Sequence, residues 1–159
     1  MNLSIIAAIG KNNELGKNND LIWKFKDDMR FFKNMTIGRK VVMGRKTFES
    51  LPGLLEGRKH IVLTRSNIEF PEEVEVFKST KQFVNQYQNT DEEIFNIGGA
   101  SIYKELLDYA DNLYLTEIDD SKDADVYFPN FDKKDFTRHE LCFHNEKDIN
   151  FKHVLYKRR

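Results

Sequence analysis

The sequence predicts an α/β layer fold, mostly parallel, with an antiparallel edge at the C-terminal end of the chain. Three observations predict it. β-rich runs alternate with helical stretches from Leu3 to Ile118. The first run, Leu3 to Ile9, is almost wholly apolar, as a central strand covered on both faces must be. The tail holds two strand-like runs, 136–143 and 149–157, separated by the polar His144-Asn145-Glu146-Lys147-Asp148, which reads as a hairpin.

The elements follow in order. After strand 3–9 comes a polar stretch, residues 10–20, rich in Gly and Asn. It reads as a long turn-rich loop, and loops of that length inside a compact chain are often functional lids. A helix is expected over 26–36, then a strand over 40–43. Gly44 to Leu51 is a turn opening into a short helix, which Pro52 and Gly53 end. Strand 60–64 and a short alternating strand 74–77 precede a helix over about 81–88, with Thr80 placed to cap it. Ile94 to Ile97 is a buried strand, Gly98-Gly99-Ala100 turns into a helix from about Ser101 to Leu107, and Asn112 to Ile118 is the next strand. The tripeptide Gly-Arg-Lys recurs at 38, 44 and 57, but the unequal intervals exclude a structural repeat.

With 159 residues, one domain spanning 1–159 is the default, and it is long enough to bury a substantial core. A net charge of −1 with dispersed cations, and only Lys157-Arg158-Arg159 as a basic cluster, argues against nucleic-acid binding. The single cysteine, Cys142, excludes an internal disulfide framework and fits a reducing cytosol. The apolar run at the N-terminus is too short for a signal peptide or a membrane span, so a cytoplasmic protein is expected.

Asp28 is the most informative residue. Positions three, four and seven along from it are Phe31, Phe32 and Met35, so a carboxylate lies on the apolar face of its own helix. Such a group is costly to bury without a donor or a cation. None falls on that face within a turn, so the partner must come from elsewhere in the fold or from a ligand. Asp27, beside Arg30, reads as solvated.

Three strand ends have the chemistry of a phosphate site. Gly98-Gly99-Ala100-Ser101 and Gly44-Arg45-Lys46-Thr47 each join a strand to a helix start, where bare N–H groups attract anions. Thr64-Arg65-Ser66 adds a third basic loop. Ligands of open α/β sheets bind at these ends, and extra cations point to NADP over NAD, whose ribose is commonly bound by an acidic residue. The GxGxxG and P-loop patterns are absent. Metal catalysis is not expected, because His60, His139, His144 and His153 are scattered without ligand spacing. No G-x-S-x-G elbow is present, and Cys142 reads as structural.

Read together, these residues resemble the dihydrofolate reductase family over essentially the whole chain. The matching pieces are Ile5-Ile6-Ala7-Ala8, Leu15-Gly16 with Asn19, Trp23, Asp28, Phe32-Lys33 with Thr36, Val42 to Ser50, Leu55 to Arg58, Ile97 to Tyr103, Leu113 to Thr116 and Asp125 to Pro129. Their order and spacing are specific where no single tripeptide is. The resemblance implies a three-layer fold, an eight-stranded mostly parallel sheet with about four flanking helices and antiparallel last strands. It also implies NADPH-dependent reduction of dihydrofolate to tetrahydrofolate, with hydride passing to C6 and a proton to N5. Antifolate inhibitors would bind there too, and a monomer is the family default.

The same resemblance implies roles by position. Asp28, Trp23 and Leu21 would form the catalytic group, with Asp28 accepting from the pterin and water admitted near the other two. Ile6, Ala7, Phe32, Leu51, Leu55, Ile97 and Thr116 would line the substrate site, and Arg58 would hold the substrate's glutamate carboxylate by a fork of two hydrogen bonds. Ala8, Leu15, Gly16 and Asn19 would flank the nicotinamide, and loop 10–22 would act as a lid. Gly44, Arg45, Lys46, Thr47, Leu63, Thr64, Arg65, Lys78, Gly98, Gly99, Ala100, Ser101, Ile102 and Tyr103 would hold the rest of the cofactor. Ile22 and Lys26 stand where most relatives have proline, and Glu56 replaces another. The lid and the helix entrance are therefore expected to be less rigid. The alternative is a reductase of the same fold acting on another pterin-like or pyrimidine substrate, for which Arg58 would have no use. A binding module without turnover is disfavoured by Asp28 and Trp23.

Overall fold

The computed structural model describes residues 1–159. In chain order its elements are β1 (Asn2–Ile9), β2 (Glu14–Lys17), β3 (Asp20–Leu21), α1 (Lys26–Thr36), β4 (Lys40–Gly44), α2 (Arg45–Ser50), β5 (Lys59–Leu63) and β6 (Glu75–Phe77). They continue with α3 (Thr80–Tyr87), β7 (Glu93–Asn96), α4 (Ala100–Leu106), β8 (Asn112–Ile118), β9 (Val126–Tyr127), β10 (Phe136–Glu146) and β11 (Ile149–Arg158).

Eight strands form one sheet in the order β10-β11-β8-β1-β7-β4-β5-β6. β1 pairs in parallel with β7 and β8, and β4 with β5 and β7. β11 runs antiparallel to both β8 and β10. This is the mostly parallel sheet with an antiparallel C-terminal edge and four helices that the sequence predicts. β1 lies near the middle, and Leu3, Ile5 and Ile6 are buried on both of its faces. One layer of the core packs Leu3, Val42, Ile61, Ile94 and Leu106 with Phe83 from α3. The other packs Ile6, Val41, Met43 and Phe95 under Phe31 and Phe32 of α1.

Three expectations need correction. Residues 10–22 are not a plain loop, because β2 and β3 pair there and β9 joins β2 as a third strand. The asparagines read as loop formers supply left-handed residues at Asn13, Asn18 and Asn19, a conformation Asn tolerates better than most side chains. Gly16 is required because a Cβ there would sit 2.7 Å from the Asp20 carbonyl oxygen. The cap of α3 is Ser79 rather than Thr80, and its hydroxyl accepts from Gln82 N at 3.2 Å. The tail hairpin is longer than predicted. β10 continues to Glu146, and the turn tightens onto Lys147 and Asp148, both at positive φ.

Leu106 is fully buried between the sheet and Phe83. Leu106→Ala is expected to cost about 2–5 kcal/mol, since the layer cannot close completely over the lost methyls. Urea unfolding would show this as a lowered midpoint at unchanged slope.

Candidate active site

Asp28 sits in the first turn of α1, whose entrance is built without proline. The N-cap residue, Phe25, offers no side-chain acceptor, yet the free N–H groups are not left bare. Glu146, from the end of β10, accepts from Lys26 N at 3.0 Å and from Asp27 N at 2.9 Å. A proline at position 26 could not make the first of these bonds. The Phe25 ring also stacks on Phe151 of β11, with centroids 4.5 Å apart. The helix entrance is thus held by a carboxylate cap and an aromatic stack, which corrects the expectation of looseness drawn from Lys26.

The donors that Asp28 requires come from the sheet. Thr116 of β8 donates from Oγ1 to Asp28 Oδ1 at 2.5 Å, and His153 Nε2 of β11 lies 3.2 Å from the same oxygen. No protein donor reaches Oδ2, and the side chain is about one-fifth exposed. One carboxylate oxygen is therefore held and the other is open. Around it, Phe32, Leu51 and Ile97 pack against Ile6 as an apolar wall, with Ala7 next to Ile6 in β1.

Tyr103 ties this wall to the glycine junctions. Its hydroxyl donates to the Ile6 carbonyl at 2.8 Å, and burial, with the nearby Asp28 charge adding to it, pushes the phenol well above its ordinary range. The same ring lies against Gly98, where a Cβ would come within 2.9 Å. The Gly98-Gly99 peptide is cis, and the Gly98 carbonyl accepts from Gly44 N at 2.9 Å. Asn96 Oδ1 accepts from Gly98 N at 3.0 Å. At Gly99 a Cβ would meet only Thr47 Oγ1, at 3.6 Å, so the starts of α2 and α4 face each other across bare backbone. Neither helix has a side-chain cap at its first turn.

The remaining predicted residues divide into those that reach this region and those that serve it from behind. Arg58, half-buried, donates from Nη1 to Thr36 Oγ1 and from Nε to the Glu56 carbonyl, and it forms no salt bridge with a carboxylate. Burial pulls its guanidinium below the usual arginine value. Leu55 is half-buried, and its N–H donates to His60 Nε2. Leu63 and Ile102 are core residues of the layer beneath α4. Ala100 opens α4, and Ser101, in its first turn, is exposed. Arg45 pairs with Glu49 at 2.8 Å, while Lys46 and Arg65 are exposed cations. Thr64 accepts from Ser66 N, and Lys78 is engaged with the Ser66 carbonyl and Asn67.

Residues 10–23 are strapped to the segment 119–125. Trp23 donates from its indole N–H to Asp120 Oδ2 at 2.9 Å, which holds that carboxyl below its usual range. Asp125 Oδ2 accepts from Asn18 N, Asp125 N donates to the Gly16 carbonyl, and Lys17 pairs with Asp123. Glu14 is 2% exposed and accepts from Ser121 Oγ, Lys122 N and Asn12 N. Leu15 packs on the core beneath, Gly16 is buried, and Ala8 packs beside Trp23. Asn19 and Leu21 are exposed on the outer rim.

Sequence reasoning missed His153, Glu146, Glu14 and Asp120. For His153 a signal existed, since the alternation Phe151-His153-Leu155 places an imidazole on a strand face with apolar neighbours.

Comparison with known proteins settles the family. The dihydrofolate reductase family profile matches residues 2–158. The chain belongs to the dihydrofolate reductase family. It is 40% identical to a Bacillus subtilis dihydrofolate reductase over 134 residues, 84% of this chain and 79% of that one. It is 39% identical to the type 3 dihydrofolate reductase of Salmonella typhimurium over 94% of this chain and 92% of its relative. Among solved structures, dihydrofolate reductase from Enterococcus faecalis complexed with NADP(H) and RAB-propyl matches with a TM-score of 0.86 at 27% identity, covering 99% of this chain and 96% of that one.

The Glu14 strap makes the stability of the reductase acid-sensitive. Burial alone would raise this carboxyl, but the donors of Ser121, Asn12 and Lys122 outweigh it and hold it below 4.5. A carboxyl lowered on folding stabilises above its unfolded value, and that contribution is lost as pH falls through the folded one. The stability gap between wild type and Glu14→Gln should be full above pH 4.5 and narrow at lower pH, which urea unfolding across a pH series would read.

Proposed function

We propose that this chain, acting as one unit over residues 1–159, reduces 7,8-dihydrofolate to 5,6,7,8-tetrahydrofolate with NADPH. The observation that carries the reading is Asp28, a carboxylate set in an apolar wall with Oδ1 held by Thr116 and Oδ2 open. A flat heterocycle with adjacent N–H donors is the partner that satisfies such an oxygen and fills such a wall.

The reaction adds a hydride to C6 and a proton to N5 of the pterin. NADPH supplies the hydride when bound. The residues present suit such a group. The bare backbone at Gly99, the Thr47 hydroxyl and the uncapped starts of α2 and α4 form a polar cradle, and Arg45, Lys46, Arg65 and Lys78 lie along the same strand ends. Leu15, Gly16, Asn19 and Ala8 border it from the lid and β1.

The chain's own residues divide the remaining work. Asp28 binds the pterin's 2-amino and N3 groups, and its negative charge favours protonation of the ring. Thr116 fixes the carboxylate's rotamer. Phe32 and Leu51 flank the rings, and Ile6 and Ile97 offer backbone carbonyls at the pocket's rim. Arg58, without a carboxylate partner of its own, receives the α-carboxylate of the glutamate tail. The lid, with Leu21 at its edge and Trp23 at its hinge, limits water to what the proton step needs. The exposed, unpaired Cys142 supports a reducing cytosol as the site of action, where we take the enzyme to be a monomer supplying one-carbon metabolism.

Purified protein should consume NADPH only when dihydrofolate is present, and much faster than NADH, as followed by loss of the reduced nicotinamide's ultraviolet absorbance. Asp28→Asn should lower turnover by roughly 10²-fold or more while folate binding largely persists. Unchanged turnover in that variant would remove Asp28 from the chemistry. NADPH binding without dihydrofolate reduction would redirect the reading to another pterin-like substrate.

A further inference from the structure

His153 has no part in the reaction just described, yet it is built into the centre of the site. It is 1% exposed. Its ring is stacked on Phe31, with centroids 3.9 Å apart and planes 10° from parallel, and it meets His144 and Phe151 edge-on. A phenylalanine would satisfy every one of these contacts. An imidazole is costlier to bury, and what distinguishes it here is Nε2, 3.2 Å from Asp28 Oδ1. Protonated at Nε2, the ring donates to that oxygen. His153 is also the cross-strand partner of Thr116 in the β8–β11 ladder, so the two groups that touch Oδ1 come from one residue pair. Register alone brings them to the same atom.

We propose that His153 is a positioning residue for the reductase reaction. With Thr116 it pins Asp28 Oδ1, which leaves Oδ2 facing the substrate. This rests on the reading of Asp28 as the pterin's anchor.

The ionisable surroundings are few. From α1 come Asp28 and, one position earlier, Asp27, which meets Arg30 and His144 Nδ1 at 3.3 Å. From β10 comes His144 itself, 4.9 Å from His153 between ring centroids. β8 presents the Thr116 hydroxyl and, further along, Tyr114, whose ring packs on Phe31. Tyr103, behind β1, feels the Asp28 charge. A second histidine–carboxylate pair, His144 with Asp27, therefore stands directly outside the first, and no lysine or arginine pairs with Asp28.

The test uses two variants of the full enzyme. His153→Gln places an amide donor near the position of Nε2 but cannot titrate, and His153→Phe keeps only the stack. The Gln variant should hold KM for dihydrofolate within about threefold of wild type, and the Phe variant should raise it about tenfold, the size expected for losing a hydrogen bond to a charged group. The Gln variant should thus rescue what the Phe variant loses, which a ring needed only for packing would not allow. Wild-type KM in both variants would overturn the proposal, because a merely structural ring would affect only stability. A measurement on the wild-type ring avoids any folding defect. Nitrogen-15 spectra should place the His153 proton on Nε2, and Asp28→Asn should shift the resonance of that nitrogen. Absence of that shift would overturn the proposal even if the protein proved to act on another substrate.

Discussion

A carboxylate on the apolar face of a helix has to find hydrogen-bond donors, and much of this structure follows from how Asp28 finds them. The helix cannot supply them, because its neighbours on that face are Phe31, Phe32 and Met35. The sheet supplies them on one oxygen only, through Thr116 and His153. The second oxygen stays open to solvent, and a ligand with paired N–H groups can take the place of water there.

The same logic runs outward to residues 10–22. Here residues 10–22 are held by short strands and polar straps to residues 119–125, with Trp23, Glu14 and Asn18 each joined to that segment by hydrogen bonds. Hydrogen bonds of this kind exchange with water at small net cost.

Much of this was legible in the sequence, for reasons that can be named. The buried run Leu3–Ile9 and the alternation of strand and helix fix the sheet, and the position of Asp28 on its helix announces a polar site without showing its contents. What stayed hidden depends on pairing between distant segments. β2, β3 and β9 are too short to show any period. The Thr116–His153 pair follows from the β8–β11 register, which no local pattern encodes. Lys26 and Ile22 read as losses of stiffness because proline is visible in a sequence, whereas the Glu146 cap that takes over at the helix entrance lies 120 positions away.

That last contact bears on how the protein comes into being. Glu146 and His153, which secure the start of α1 and the oxygen of Asp28, belong to the β10–β11 hairpin, far downstream of α1. During synthesis the first strand, the lid and α1 leave the ribosome long before that hairpin exists. For most of translation the helix start lacks its cap and the carboxylate one of its two partners. The pocket is therefore completed only once β10 and β11 have emerged, and a chain released before them would carry most of the sheet without the finished site.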